Sequence, residues 1–179
     1  RGSGFTGTLQ PDHQNYTGWD NSKELIKIAQ NKYSNRKNIN FQVQDIITGN
    51  LPPQSFDLAI MIAVLHHLPT QKLRLQILKN INQSLSNDGI FIITVWNLWQ
   101  KDYRRHLFNY KLKISKYKLF SIGDALIPWQ KNSYRYVHSF AKTELKKLLA
   151  SAGFEVKEIF YEYQGQKTSI FHGQNLVAV

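Results

Sequence analysis

The sequence predicts an open α/β fold, a mostly parallel sheet flanked by helices and finished by a C-terminal antiparallel hairpin strand. Three observations carry that expectation. Ser55 to Leu68, SFDLAIMIAVLHHL, is an almost wholly apolar run after a polar approach. It is too short to span a membrane and suits a strand buried on both faces of a parallel sheet. Ile90 to Trp96, IFIITVW, is a second such run. Segments of helical period alternate with the strands, at the crossover lengths that parallel pairs need.

The chain opens on Arg1 to Gly7, RGSGFTG. Glycines at 2, 4 and 7 permit close backbone approach to a ligand, although a flexible terminus has the same composition and the pattern alone is a weak signal. No Met and no strand precede this loop, so an N-terminal truncation that removes a first strand is expected. Gln14 to Trp19 reads as a short strand with Asp20 at its tip. Asn21-Ser22 opens a helix, Lys23 to Tyr33, with Leu25, Ile26, Ile28 and Ala29 as its apolar stripe. Glu24 falls short of capping-box spacing, which leaves Ser22 or Asp20 as the cap. Ile39 to Val43 is the next strand and ends at Gln44-Asp45-Ile46.

A loop with Gly49, Pro52 and Pro53 leads into the first apolar run, and Leu68-Pro69-Thr70 turns the chain into a helix. That helix, Thr70 to Leu85, carries Leu73, Ile77, Leu78, Ile81 and Leu85 at helical spacing, and Asn87-Asp88-Gly89 stops it. Ala141 to Ala152 is a further helix, ended by Gly153. Phe154 to Tyr163 and Ser169 to Val179 are the closing strands, joined around Gln164-Gly165-Gln166.

At 179 residues the chain is expected to form a single domain, 1–179, with a real core. The absence of cysteine excludes disulfides, thiolate metal sites and cysteine nucleophiles. It is compatible with a reducing cytosol, and with no secretory signal in view a cytoplasmic location is expected. The net charge of +11 favours an anionic partner. Much of that charge lies in an apparent insertion at 97–138, which includes Lys111, Lys113 and Lys116 and whose only acids are Asp102 and Asp124. Aromatics such as Trp99, Tyr103 and Trp129 are interleaved with the cations. Basic plus aromatic is the composition of a single-stranded nucleic acid surface; the competing reading is an amphipathic lid with a solvated basic face.

The order of glycine loop, Asp20, Asp45, FDLAI with its helix, and Gly89 before a strand resembles the class I S-adenosylmethionine-dependent methyltransferases of the type 11 group, which have a Rossmann-like sheet. The resemblance implies S-adenosylmethionine as cofactor. It places Gly2 and Gly4 under the methionine part, Asp20 with Asn21 at the ribose, and Asp45 with Ile46 at the adenine. Ala63, Val64 and Leu65, running on to His66, would line the methyl end. Asp20 could equally serve as a helix cap. The blocks IAVLHHL, VW, DALIPWQ, YRYVHSF and TEL are similar, more narrowly, to the wobble-uridine tRNA methyltransferases. Those enzymes methylate a carboxymethyl group on uridine at the anticodon, and the eukaryotic ones work with a small zinc-binding protein. This resemblance implies tRNA as partner, with Lys111, Lys113, Lys116 and Trp129 as substrate-binding residues and a small activating protein as a second partner. Two other readings stand beside it: a small-molecule methyltransferase with 97–138 as lid, and a domain kept only for interaction.

Methyl transfer from a sulfonium is an in-line displacement, in which the protein mainly positions the nucleophile. A carboxylate is already ionised at neutral pH and needs a cation to hold it, not a base. Arg135 is the first candidate, with Tyr136 and His138 beside it, and a phosphate contact is the other reading of Arg135. Planar-nitrogen methyltransferases carry an Asn/Asp-Pro-Pro-aromatic motif where this chain has Ala63-Val64-Leu65-His66. His66 is either a base for a hydroxyl or amine or a ring packed at the strand end on a backbone hydrogen bond. Neither a histidine metal set nor a membrane segment is expected.

Overall fold

The computed structural model describes residues 14–100, 103–104, 123–130 and 133–179. Gly2, Gly4, Lys111, Lys113 and Lys116 lie outside them. The chain divides into two compact units, Arg1–Asn50 and Leu51–Val179. Among the described residues no helix is long and apolar enough to cross a membrane.

The first unit is a parallel βαβ crossover: β1 (Tyr16–Asp20), α1 (Lys23–Lys32) and β2 (Ile39–Val43). The strands pair from Tyr16 opposite Ile39 to Asp20 opposite Val43. Ser22 is the helix cap, its hydroxyl accepting the Leu25 N–H at 3.2 Å, while Asp20 Oδ1 accepts the Ser22 N–H at 2.8 Å. Capping and turn are thus divided between the two residues that the sequence left as alternatives. Of the expected apolar stripe only Ile26 is buried, and Leu25 and Ile28 stay exposed. Two short strands offer α1 little area to pack on.

The second unit opens with β3 (Phe56–Ile62), a 3-10 turn at Leu65–His67, α2 (Gln71–Ser84) and β4 (Leu85–Trp96). A hairpin follows, β5 (Asp124–Gln130) and β6 (Ser133–His138), and then α3 (Lys142–Ser151). The last strands are β7 (Ile159–Tyr163), β8 (Gln166–Thr168) and β9 (Asn175–Ala178). The main sheet has the order β3-β4-β9-β7-β8, and β5 and β6 pair separately. The class is α/β and Rossmann-like: β3 and β4 are parallel across the α2 crossover, and β9 enters antiparallel between β4 and β7. Thr70 caps α2 through its hydroxyl, which accepts the Leu73 N–H at 3.2 Å.

The Phe154–Tyr163 strand is confined to Ile159–Tyr163 and the Ile90–Trp96 strand starts already at Leu85, through Asn87-Asp88-Gly89; two further strand expectations change. The Ser169–Val179 strand shrinks to Asn175–Ala178, because the Gly173 N–H closes a turn onto the Ser169 carbonyl and Asn97 Nδ2 donates to the carbonyls of Ile170 and Gly173. The hairpin loop before it is Gln164-Gly165, both at positive φ, which matches the twist of a two-residue connection. The second change is in β3, which is buried on one face only. Met61 is 4% exposed and shares its face with Phe91, Ile93 and Val95, all buried. Leu58, Ile60 and Ile62 on the other face are exposed. The core forms on the Met61 side, where α2 contributes Ile77, Leu78 and Ile81 and α3 contributes Leu145, Leu148 and Leu149. Each such side chain stabilises the unit by roughly 1.5–3 kcal/mol over its exposed state.

Candidate functional site

Ligands of open α/β folds sit beyond the carboxyl ends of the strands. In the second unit that region is the exit of β3 and β4, and it is built by a bend. Ala63, directly after β3, has φ +56, in the left-handed region that a Cβ disfavours. Its N–H is held by the Thr94 carbonyl at 3.0 Å, so the register of β3 on β4 over-determines the strained residue. The chain then coils through the Leu65–His67 turn, which buries Leu65 and His66 completely.

His66 accepts the N–H of Trp96, the last residue of β4, on Nδ1 at 3.2 Å. Burial, reinforced by its neighbours His67, Arg135, Arg74 and His138, pushes its pKa down to about 2. The ring is therefore neutral, and because Nδ1 accepts, its one proton is on Nε2. So reluctant a proton acceptor is a poor general base near neutral pH. Packing on a backbone hydrogen bond, the second of the two sequence readings, is what the geometry supports. Nε2 itself is buried and has no hydrogen-bond partner among the described residues. His67 is held down by burial as well, and its Nδ1–H donates to the Tyr136 carbonyl at 3.0 Å, tying the turn to β6.

Strand alternation sorts the hairpin residues onto two faces. Asp124 is opposite His138 and Leu126 opposite Tyr136, on one face; Ile127 is opposite Arg135 on the other. The first face is polar and buried. Asp124 Oδ1 accepts from the Tyr136 hydroxyl at 2.6 Å and from His138 Nδ1 at 2.6 Å. Arg74, from α2, donates to the Tyr136 hydroxyl at 2.6 Å and to the Leu68 carbonyl at 2.8 Å, with its guanidinium 3.6 Å from Asp124. His138 Nε2 reaches Glu144 on α3 at 2.7 Å. Burial alone would raise the Glu144 carboxyl, but the hydrogen bond and charge of His138 outweigh it and hold it below its usual range. Burial and the bond to Asp124 push the Tyr136 phenol well up. Gly123, at φ +103, brings the hairpin in against the Ser139 carbonyl, where a Cβ would stand 2.8 Å away.

The second face is aromatic and opens to solvent. Ala125, Ile127 and Val137 pack with Leu98, against Trp96 and Tyr103. His66 stacks on Trp96 at 5.1 Å between centroids, Trp96 on Tyr103 at 6.0 Å, and Trp129 lies 6.5 Å from Trp96. The Arg135 guanidinium lies 3.2 Å over the Trp129 ring, and burial lowers its pKa. Trp129 remains 42% exposed, so the pair stands at the edge of the cluster where a solute can reach it.

The structure thus brings together His66, Trp129 and Arg135, and separates Arg135 from Tyr136 and His138 by the width of a strand. Tyr136 and His138 commit their polar atoms to the buried network. Arg74 and Glu144 are functional neighbours that sequence reasoning did not single out. Arg74 was detectable: it sits three, four and seven residues before Ile77, Leu78 and Ile81, a cation in an apolar stripe. In the first unit, Asp20 stands at the tip of β1 with Asn21 beyond it. Asp45 Oδ1 accepts the Ile47 N–H at 2.8 Å, with Ile46 inside that turn.

Residues 2–93 match the family described as Methyltransferase domain. The chain is 27% identical over 168 residues to the tRNA (carboxymethyluridine(34)-5-O)-methyltransferase of Schizosaccharomyces pombe, covering 81% of this chain and 67% of that protein. It is 28% identical over 160 residues to the carboxy-S-adenosyl-L-methionine synthase of Campylobacter hominis, covering 86% and 64%. The chain therefore spans about two thirds of the length of each of these relatives. Among solved structures, a SAM-dependent methyltransferase from Methanosarcina mazei superposes with a TM-score of 0.71 at 22% identity, covering 90% of this chain and 78% of the other.

Proposed function

Because this chain belongs to the methyltransferase-domain family, we propose that it is an S-adenosylmethionine-dependent methyltransferase whose acceptor is the carboxymethyl group of a wobble uridine in tRNA. Residues 1–179 are read as one methyltransferase domain, and a small activating protein partner belongs to the same reading. The observation that carries the acceptor assignment is Arg135 laid on Trp129 at the solvent edge of an aromatic cluster. A carboxylate on a pyrimidine needs a cation for its charge and a flat surface for its ring. The S. pombe relative acts, by its name, on carboxymethyluridine.

When bound, S-adenosylmethionine supplies the methyl electrophile and its leaving group. Asp20 fits a sugar hydroxyl: one carboxylate oxygen holds the Ser22 N–H, and the other has no hydrogen bond among the described residues. Asp20 with Asn21, and Asp45 with Ile46, are the first unit's cofactor-binding residues in this reading. Ala63, Val64 and Leu65 are those of the second, and Gly2 and Gly4 complete the set. Arg135 holds the acceptor carboxylate, and that carboxylate needs no base. Tyr136 and His138 are positioning residues that fix β6, and hence Arg135, through Asp124.

Lys111, Lys113 and Lys116 are assigned to the tRNA backbone. Changing all three to Glu is expected to abolish tRNA binding in a filter or gel-shift assay while S-adenosylhomocysteine still binds. The wild-type affinity should fall steeply between low and physiological salt. Unchanged tRNA affinity in the triple variant would move the reading to a small-molecule acceptor with 97–138 as its lid, for which the similarity to the C. hominis enzyme is the supporting observation.

A further inference from the structure

We propose that the Nε2–H of His66 and the guanidinium of Arg135 together form a subsite for a carboxylate carried on a planar ring, walled by the Trp96 and Trp129 indoles. The inference rests on the carboxylate acceptor proposed above and assigns the groups that would select it. It starts from a donor without an acceptor. His66 is fully buried, its tautomer is set by the Trp96 N–H on Nδ1, and its Nε2–H has no hydrogen-bond partner among the described residues. Buried donors are almost always paired, and leaving one unpaired is costly. Among the described residues of this unit the other buried side-chain polar atom without a partner is the Ser139 hydroxyl, which can rotate its proton. An imidazole N–H cannot.

The acceptor that this donor awaits is negative. Arg135, Arg74 and His138 act on His66 as positive neighbours, while His67 is itself held neutral by burial. Arg74 and His138 are already matched by Asp124, and His138 by Glu144 as well. Arg135 is not: among the described residues no carboxylate lies within ion-pair distance of it, and its contact is the stacking on Trp129. The Trp129 ring covers the guanidinium at 3.2 Å without using its N–H groups, which suit a two-oxygen acceptor. The ring that carries the carboxylate is planar because the walls are planar. Trp96 is half-buried between His66 and Tyr103, and Trp129 is tilted 35° to it. Nε2 has no solvent contact, so the ligand displaces a side chain of the stack on entry. Arg135 and Trp129, at its exposed edge, are the ones placed to move.

The test uses two nucleosides that differ only in charge, 5-carboxymethyluridine and its amide, 5-carbamoylmethyluridine, titrated into the chain with S-adenosylhomocysteine present. The acid is expected to bind at least about tenfold tighter. In ¹⁵N-edited spectra of the unaltered chain, the His66 Nε2-bound proton should shift downfield with the acid and stay in place with the amide. His66→Asn keeps an acceptor for the Trp96 N–H but loses the ring donor; it and Arg135→Met should each bring the acid-to-amide ratio towards one. Equal binding of the two nucleosides, or a His66 proton that ignores the acid, overturns the subsite, as does competition by uridine 5′-phosphate as strong as by the acid. The two proposals fail separately. Methyl transfer into tRNA without acid selectivity removes the subsite alone, whereas acid selectivity without transfer into tRNA removes the tRNA reading alone.

Discussion

Replacing Asp124 with Ala should destabilise the second unit by about 3–5 kcal/mol, the range found when one partner of a buried charge set is removed. The Asp124 side chain has no solvent exposure and that of Arg74 has 2%. Without the carboxylate the Arg74 guanidinium stays buried with only neutral hydrogen-bond partners, the Tyr136 hydroxyl and the Leu68 carbonyl, and the more distant charge of Glu144. His138 loses the acceptor on Nδ1 at the same time. A domain's whole stability is only about 5–15 kcal/mol, so urea denaturation should show a large drop in midpoint. The double variant Arg74→Met with Asp124→Leu should recover part of the loss, since removing both charges also removes the burial penalty. A single variant within about 0.5 kcal/mol of the parent would show that the network does not hold the hairpin.

Acid should weaken the fold well above the carboxylate range, and His66 is the reason. Its folded pKa is depressed from 6.5 to about 2. Below pH 6.5 the unfolded chain takes up a proton that the folded chain refuses. The stabilisation is therefore fully present above 6.5 and is lost as pH falls through the window down to about 2. The slope approaches about 1.4 kcal/mol per pH unit, which gives roughly 2 kcal/mol lost by pH 5. His67, also held neutral by burial, adds loss of the same sign. Glu144 is depressed, so its contribution persists above its unfolded value and goes only at lower pH. Urea midpoints at pH 7, 6 and 5 measure the effect. His66→Asn should flatten the profile; a parent profile that is already flat would mean that the ring is protonated where it sits.

Most of the helices and strands were legible because period and caps agreed, as at Thr70 and α2 or Ser22 and α1. Burial was less so. SFDLAIMIAVLHHL reads as buried on both faces, yet among the described residues of this unit the helices supply a core on the Met61 side only. An apolar run states what a strand can bury, not what stands opposite. The site was legible as a set of residues and not as an arrangement. Trp129, Arg135, Tyr136 and His138 are adjacent in blocks of sequence, but strand alternation splits them between a buried polar face and an exposed aromatic one. Asp124 gained its role from Arg74, 50 residues earlier on a different element, a partnership that no local pattern encodes.

The central claim is methyl transfer from S-adenosylmethionine to a carboxylate in tRNA. The most direct measurement is incubation of the chain with methyl-labelled S-adenosylmethionine and total tRNA. The label should enter tRNA and then leave as methanol under mild alkali, because the product of carboxylate methylation is an ester. Label that stays in tRNA through alkali, or that enters only small acceptors, would contradict the account.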